Sequence, residues 1–289
     1  MPTITQALGE GAERLRSSAV DQERRTAGLL LGHTLSLDAA QLLVRSEEKI
    51  GDPEYRLYLG FVERRAAGEP LQYITGRQEF FGLEFKVTPD VLIPRPETEH
   101  LVEQVIKLSR EQSSRDRVIA DIGTGSGCIA VSLAVNIPGS TILATDISPA
   151  ALQVAIQNAK KHSVADRIEF LEGDLLSPLK SRDLEGNIDF IASNPPYVPA
   201  IELDHLQREV RDHEPALALF GGPDGLDCYR RLLSEAPAFL RAGGGLICEI
   251  GFGQLKPIEN LVDPAVWLNR QVINDLQGIP RTLVLRLRA

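Results

Sequence analysis

The stretch Val118–Asp146, VIADIGTGSGCIAVSLAVNIPGSTILATD, decides the fold class of this chain. A short apolar run ends in Asp121, a loop with three glycines follows, and a helical stretch then leads to a second apolar run that ends in Asp146. This order predicts a βαβ unit, whose crossover is right-handed in nearly all proteins. We therefore expect a parallel sheet to form around it.

The same alternation of apolar runs and amphipathic stretches continues toward the C-terminus. Candidate strands cover 118–122, 141–145, 168–171, 190–193, 246–250, 267–273 and 282–286. The pattern predicts an α/β fold with a seven-stranded, doubly wound and mostly parallel sheet. Gly243–Gly245 is interpreted as a turn ahead of a strand.

The N-terminal part has a different periodicity. Apolar residues recur at helical spacing over 4–68, which predicts a small helical bundle, and Asp52-Pro53 suits the start of its last helix. Phe80–Val87 is interpreted as a hairpin around Gly82. We expect a helical domain over 1–75, a hairpin linker over 76–95 and a domain with the sheet over 96–289.

The composition restricts the class of protein. The formal net charge of −9 over 289 residues disfavours broad attraction to phosphate backbones. No apolar run approaches the roughly 20 residues of a membrane helix, and no signal peptide is recognisable, so an intracellular protein is expected. Cys128, Cys228 and Cys248 are interpreted as buried reduced thiols, and the five histidines show no metal spacing.

Polar groups follow three successive candidate strands. Gly123–Gly127 opens a helix and also suits an ordinary tight βα turn. Its spacing G-x-G-x-G disfavours a dinucleotide and leaves a different nucleoside ligand open. Asp146 follows the next strand, where its carboxylate can accept hydrogen bonds from ribose hydroxyls. Asp174 and Leu175 follow the third, where they can meet an adenine ring. Each acid alone also suits a solvated loop or a helix cap, but ligands of open α/β sheets bind where strands end.

The fourth strand runs into Asn194, Pro195, Pro196 and Tyr197. This loop also fits a simple strand terminator with a tyrosine on the core. Its residue types suit transfer to a planar NH₂ group, because the Asn194 side-chain oxygen and the Pro195 carbonyl can each accept an N–H and proline adds no competing donor. Tyr197 can stack on the planar group and favour its developing positive charge.

Several segments together resemble the HemK/PrmC family, the N5-glutamine methyltransferases of peptide-chain release factors, within the class I S-adenosylmethionine-dependent methyltransferases. The resemblance rests on Gln72–Gly76, Glu79–Gly82, Val91–Glu99, Asp121–Gly127, Asn194–Tyr197, Glu214–Leu219 and Gly222–Leu226. It covers nearly the whole chain. Leu175, where some members have tryptophan, and Ile279, within a usually polar stretch, depart from the pattern.

The resemblance implies a role for each residue of these motifs. Asp121 would hold the amino-acid end of S-adenosyl-L-methionine, and Asp146 the ribose. The other implied cofactor residues are Gly123, Thr124, Gly125, Ser126, Gly127, Ile147, Asp174, Leu175 and Asn194. The implied acceptor residues are Leu92, Pro94, Arg95, Asn194, Pro195, Pro196 and Tyr197, of which Asn194, Pro195 and Tyr197 would be catalytic. A salt bridge from Arg95 to Glu97 or Glu99 is an equally good interpretation.

The family also implies a substrate, the glutamine of the Gly-Gly-Gln tip of class-1 release factors, with S-adenosyl-L-homocysteine as the second product and docking by the helical domain. We expect a cytoplasmic monomer without a direct nucleic-acid or membrane partner. Two other hypotheses stay open. A nucleic-acid methyltransferase acting on adenine N6 or cytosine N4 uses the same Asn194–Tyr197 chemistry on a flipped base, and a binding module can keep the fold without activity.

Overall fold

The computed structural model describes residues 1–111 and 116–288. The chain divides into two compact units, of which the first combines Met1–Arg77 with Gln207–His213 and the second comprises Gln78–Leu206 and Glu214–Ala289. Our expected ranges treat each domain as continuous and therefore leave out this return to the first unit. Within the expected range 96–289, residues 112–115 and 289 lie outside the described residues.

The secondary structure alternates as the sequence predicts. The helices are α1 Ile4–Ser17, α2 Glu23–Leu35, α3 Ala39–Val44, α4 Asp52–Ala66, α5 Leu71–Thr75, α6 Glu99–Arg110, α7 Cys128–Asn136, α8 Pro149–Lys161, α9 Arg208–His213, α10 Asp227–Glu235 and α11 Leu255–Glu259. The strands are β1 Arg77–Phe80, β2 Leu83–Lys86, β3 Arg117–Ile122, β4 Ser140–Asp146, β5 Ile168–Glu172, β6 Ile188–Ser193, β7 Leu240–Glu249, β8 Trp267–Asn274 and β9 Pro280–Leu287.

The helical unit packs α1, α2 and α4 around an apolar core that includes Leu15, Leu30 and Tyr58. Capping boxes formed by Thr3 and Asp38 start α1 and α3, since each side chain accepts the N–H of the third residue of its helix. Helix α4 begins at Asp52 with a proline in its first turn, as predicted. The predicted helical bundle is confirmed.

Helix α9 belongs to this unit through polar contacts. The buried Arg65 guanidinium forms an ion pair with Glu209 on α9 and also donates to the Glu69 carbonyl at 3.0 Å. Arg208 donates to the carbonyl of Ala67 at 2.8 Å. A short helix remote in sequence thereby completes the unit.

The predicted hairpin is formed by β1 and β2. Phe81 and Gly82 connect them with φ angles of 52° and 72°. Positive φ at both central residues is the mark of a type I′ turn, whose twist matches that of the flanking strands. Phe80 and Phe85 are buried in the core of the second unit.

The second unit is built on a sheet with the order β5-β4-β3-β6-β7-β9-β8. Strands β3 to β7 pair in parallel, and β9 pairs antiparallel with both β7 and β8. The predicted doubly wound, mostly parallel sheet is confirmed. Its order reverses between β3 and β6, which is the switch point where ligands of such folds bind.

The glycine run Gly243–Gly245 differs from its prediction. It lies inside β7, not before it, and the pairing of β7 with β6 is irregular there. A Cβ on Gly244 would lie 2.9 Å from the Arg241 carbonyl oxygen and 3.0 Å from that of Asp189. The glycines therefore allow a close approach of backbone within a bulged strand.

The cysteine prediction is only partly correct. All three cysteines are free, and Cys128 and Cys248 are buried, but Cys228 is only half-buried. Burial raises the pKa of the Cys128 and Cys248 thiols to about 12, so both stay protonated at neutral pH. Within residues 1–111 and 116–288, no helix is both long and apolar enough to cross a bilayer. The same residues contain no cluster of three or more side chains suited to hold a metal ion.

Candidate functional site

A cavity of about 290 Å³ opens where β3, β4, β5 and β6 end. Its walls are formed by Asp90, Val91, Leu92, Pro94, Arg95, Thr98, Gly123, Thr124, Gly125, Ser126, Cys128, Ile129, Asp146, Ile147, Ser148, Ala151, Gly173, Asp174, Leu175, Asn194, Pro196, Pro215, Leu217, Ala218, Phe220 and Cys228. Most of the predicted site residues are therefore brought together. The predicted site residues that do not line the cavity are Asp121, Gly127, Pro195 and Tyr197.

The glycine loop forms one wall of the cavity. Gly123, Gly125 and Gly127 have φ angles of 75°, 54° and 79°, a region that glycine enters without strain. A Cβ on Gly127 would lie 3.0 Å from the Cβ of Ala155 on α8, whereas Gly123 and Gly125 have open space in that direction. Gly127 thus serves helix packing, and the other two leave backbone accessible from the cavity.

Asp121 lies beneath this loop and holds it in place. Its Oδ2 accepts hydrogen bonds from the Thr124 hydroxyl at 2.7 Å and the Ala130 N–H at 3.1 Å. Its Oδ1 is buried and finds no partner among the described residues. Burial raises the pKa of Asp121 to about 7, against the lowering effect of those two hydrogen bonds. An unpaired buried acceptor of this kind is costly unless a donor reaches it.

Asp146 links two turns at the end of β4. Its Oδ2 accepts the Gly125 N–H at 2.8 Å, and its Oδ1 accepts the Ser148 N–H at 2.9 Å. Burial raises the pKa of Asp146, while these N–H groups lower it. Each carboxylate oxygen has a further lone pair, so Asp146 can accept two hydroxyls from the cavity while it holds the loop.

The third strand end carries a charged residue and a strained turn. Asp174 pairs with Arg231 at 2.8 Å and is half-exposed, so its carboxylate already has a partner. Leu175 has a φ of 48°, and its carbonyl accepts the Thr145 hydroxyl at 3.0 Å. The side chains of Leu175 and the exposed Ile147 add apolar surface to the cavity.

The opposite wall is formed by the loop after β6. The Asn194 side-chain NH₂ donates to the Thr98 hydroxyl at 3.1 Å, which in turn donates to Glu249 Oε2 at 2.5 Å. The Tyr197 hydroxyl donates to Glu249 Oε1 at 3.4 Å. One buried carboxyl group therefore holds both polar side chains of this loop, Asn194 through Thr98 and Tyr197 directly.

Glu249 has an unusual protonation equilibrium. It is 2% exposed at the end of β7, and burial raises its pKa to about 7. Hydrogen bonds from Thr98 and Tyr197 and the charge of Arg281 act in the opposite direction, whereas Glu97 raises the pKa further. Burial and the charge of Glu249 also raise the pKa of Tyr197, so the phenol stays protonated.

Glu214, which is remote in sequence, holds the segment before α6 at the wall of the cavity. Glu214 Oε1 pairs with Arg95 at 2.5 Å, and its Oε2 accepts the Ile93 N–H at 3.3 Å. The alternative partners predicted for Arg95, Glu97 and Glu99, are not the ones that the structure shows. The Glu99 carboxylate instead accepts the Phe81 N–H at 2.8 Å.

Comparison with known proteins identifies the family. Residues 6–76 match the family model described as PrmC N-terminal domain, and residues 98–216 match the methyltransferase small domain. A relative from Moorella thermoacetica, named release factor glutamine methyltransferase, is 48% identical over 280 residues, 96% of either chain. One of the same name from Koribacter versatilis is 42% identical over 282 residues, 98% of either chain. The chain belongs to the release factor glutamine methyltransferase family.

A solved structure outside this family shows the same fold. The human protein described as methyltransferase 10 domain containing superimposes with a TM-score of 0.54 at 22% identity, over 81% of this chain and 96% of that one. At this identity the likeness concerns the fold alone. The release factor glutamine methyltransferase family itself implies use of S-adenosylmethionine.

The residues around the cavity fit such a cofactor. Gly123 and Gly125 leave space and backbone at one wall, Asp146 offers paired acceptors for hydroxyls, and Ile147 and Leu175 provide apolar cover. The Oδ1 of Asp121 is buried and has no hydrogen-bond partner among the described residues, so a donor on the ligand would satisfy it. This donor set suits a ribonucleoside with a charged amino-acid tail.

Three residues without a predicted role contact the predicted site residues. Thr98, Glu214 and Glu249 are all buried and bind site residues. Glu249 could have been recognised from the sequence, because it directly follows the apolar run Leu246–Cys248 at a strand end. An acid is rarely buried at such a position unless it has a specific partner. Thr98 and Glu214 lie in segments that carry the family resemblance, but their partners could not be predicted because they are distant in sequence.

Proposed function

We propose that this chain transfers a methyl group from S-adenosyl-L-methionine to the side-chain nitrogen N5 of the glutamine in the Gly-Gly-Gln tip of class-1 release factors. The observation that supports it most is the position of Asn194, whose amide faces the same cavity as the glycine loop. Its NH₂ is held by Thr98, so its oxygen is available to an acceptor amide.

The acceptor loop suits an amide substrate. A planar amide nitrogen is a poor nucleophile because its lone pair is delocalised, so its NH₂ group must be held in a reactive orientation. Asn194 Oδ1 and the Pro195 carbonyl would each accept one N–H, and neither Pro195 nor Pro196 offers a competing donor. S-adenosylmethionine supplies a methyl group activated by a sulfonium. Positioning then supplies most of the rate, and no strong base is required, since the methylated nitrogen becomes acidic.

The cofactor half follows from the same geometry. We propose that Asp146 binds the ribose, that Gly123–Gly127 passes beside the amino-acid tail, and that Asp121 meets that tail through its orphaned oxygen. Asp174 and Leu175 would border adenine, with Ile147 beside them. Tyr197 would border the acceptor amide while Glu249 holds its hydroxyl, although its side chain does not line the cavity.

The helical unit is proposed as a docking surface for the release factor, with 76–95 as linker and 96–289, apart from Gln207–His213, as the methyltransferase domain. It carries a groove with the exposed side chains of Leu29 and Leu43 beside Arg24 and Arg25. Apolar surface with a basic rim suits a protein partner. A second contact region would raise the effective concentration of the glutamine at the cavity.

Side-by-side transfer assays test this function. Purified protein and labelled cofactor would be mixed with a release factor, with the same release factor carrying Gly-Gly-Ala, with a free Gly-Gly-Gln peptide, and with duplex DNA. We expect label only where the glutamine is present, and far more on the whole release factor than on the peptide at equal concentration. Label on DNA would favour an adenine N6 or cytosine N4 methyltransferase, and equal use of the peptide would contradict docking.

We also propose a cytoplasmic monomer that releases S-adenosyl-L-homocysteine and binds neither membranes nor nucleic acid directly. Free thiols at all three cysteines support a reducing compartment. The net charge of −9 supports the absence of a nucleic-acid partner. Sedimentation of the purified protein would test the monomeric state.

A further inference from the structure

The side chain of Thr98 has an unusual use. Thr98 occupies the N-cap position of α6, where threonine commonly accepts a hydrogen bond from the first turn of its helix. Here its side chain makes no capping bond and is 2% exposed. Its hydroxyl is bonded instead to Asn194 and Glu249, from two other strand ends. The Thr98 hydroxyl therefore connects residues of the cavity wall and does not cap the helix.

The direction of these hydrogen bonds can be worked out from the chemistry of the groups. A threonine hydroxyl has one proton, and a carboxylate oxygen can only accept. In the ionised form of Glu249, Thr98 therefore donates to the carboxylate at 2.5 Å and has only acceptor capacity left for Asn194. Of the two ends of the Asn194 amide, only the NH₂ can donate to it.

This direction determines what Asn194 shows to the cavity. With its NH₂ turned to Thr98, its Oδ1 is the end left over, and among the described residues no group donates to that oxygen. An amide turned over by 180° would present NH₂ to a substrate NH₂, and two donors do not bond. The correct orientation is thus a condition for binding an acceptor amide.

We propose that Thr98 and Glu249 are positioning residues for methyl transfer, which act by fixing the Asn194 amide with its oxygen toward the acceptor. The expected effect on kcat rests on the proposed function, whereas the orientation of the Asn194 amide does not. Glu249 is itself anchored, since its backbone carbonyl accepts the Tyr229 hydroxyl at 2.8 Å. The second oxygen of Glu249 holds Tyr197, so both polar side chains of the loop depend on one buried group.

The structural arm of the test uses Thr98→Val, which keeps the shape of the side chain and removes the hydroxyl, and Thr98→Ser, which keeps the hydroxyl. Side-chain NH₂ resonances of Asn194 would be assigned by their loss in Asn194→Ala. We expect slow hydrogen exchange of this NH₂ in the wild type and in Thr98→Ser, and exchange about tenfold faster in Thr98→Val. Equal exchange in all three proteins would overturn the proposed orientation, whatever the substrate is.

The kinetic arm uses the same variants with a release factor. We expect Thr98→Val to lower kcat about tenfold or more, with the cofactor Kd and the KM for the release factor within about twofold of wild type, and Thr98→Ser to restore kcat. In an Asn194→Ala background, Thr98→Val should cause no further loss, because it acts only through Asn194. A further loss there, or equal damage by Thr98→Ser, would overturn the positioning role. No transfer by the wild type would instead refute the proposed function and leave the exchange measurement to decide the orientation.

Discussion

The two halves of the cavity are built in different ways. On the cofactor side, Asp121 and Asp146 bind backbone N–H groups or side chains of loops close to them in sequence, at separations of 2 to 21 residues. On the acceptor side, Asn194 depends on Thr98, 96 residues away, and Thr98 depends on Glu249, 151 residues away. One half is assembled locally, and the other only by the complete sheet.

The difference indicates where each half is sensitive to change. The hydrogen bonds of the cofactor half join residues that are close in sequence, so replacing one of its side chains should disturb only the adjacent turns. The acceptor half consists of side chains in series, where the loss of one member releases the next. Cofactor binding and turnover should therefore respond to different substitutions.

The largest expected effect separates the two halves directly. Asn194→Ala should lower kcat by about 10²-fold or more while the cofactor Kd changes little, because the lost oxygen orients the acceptor amide. Single-turnover transfer and calorimetric titration of the cofactor would measure both. Asn136→Ala, which removes a half-buried amide outside the cavity lining, is the matched control. A parallel loss of cofactor affinity would make Asn194 a cofactor residue and remove the distinction.

The second effect concerns the buried carboxyl group of the acceptor half. The pKa of Glu249 is about 7 in the folded state against an ordinary value of 4.5, so between these values the folded state binds more protons than the unfolded state. Its stabilising contribution is full below pH 4.5 and is lost as the pH rises through 7. Relative to Glu249→Gln, the wild type should lose about 2–3 kcal/mol of unfolding free energy between pH 5 and 7.5.

Urea unfolding of both proteins at several pH values measures this difference. Asp121, whose pKa is also raised by burial, is present in both proteins and cancels in the comparison. Parallel pH profiles would show that Glu249 has an ordinary pKa, and that its contacts with Thr98 and Tyr197 hold a carboxylate at all pH values tested.

The smallest effect belongs to the cofactor half. Asp146→Ala should weaken cofactor binding by about 1–3 kcal/mol, because two ribose hydroxyls lose a charged acceptor. At saturating cofactor, kcat should stay near that of the wild type. Asp166→Ala, which removes an exposed acid outside the cavity lining, should change neither quantity. Unchanged cofactor affinity in Asp146→Ala would remove Asp146 from the ribose role.

The cofactor half, which is assembled from residues close in sequence, is also the half that the sequence predicts best. Strand ends, the positive-φ glycines and Asp146 follow from short-range pattern, and the structure places them as expected around one cavity. The partner of Arg95 could not be predicted, because Glu214 is 119 residues away and Glu97 and Glu99 are closer in sequence. The same holds for Thr98, whose position before a helix suggests a cap and whose hydroxyl is used elsewhere.

The return of Gln207–His213 to the helical unit has a consequence for recombination between related genes. Because the buried Arg65 pairs with Glu209, the helical unit is encoded in two separate parts of the gene. A recombination that exchanged only the first 77 codons would join Arg65 to a foreign residue at position 209, and an unpaired buried charge is strongly destabilising. Loss of the acid at position 209 should therefore be tolerated only together with loss of the positive charge at position 65, whereas the half-exposed Glu209 can remain without Arg65.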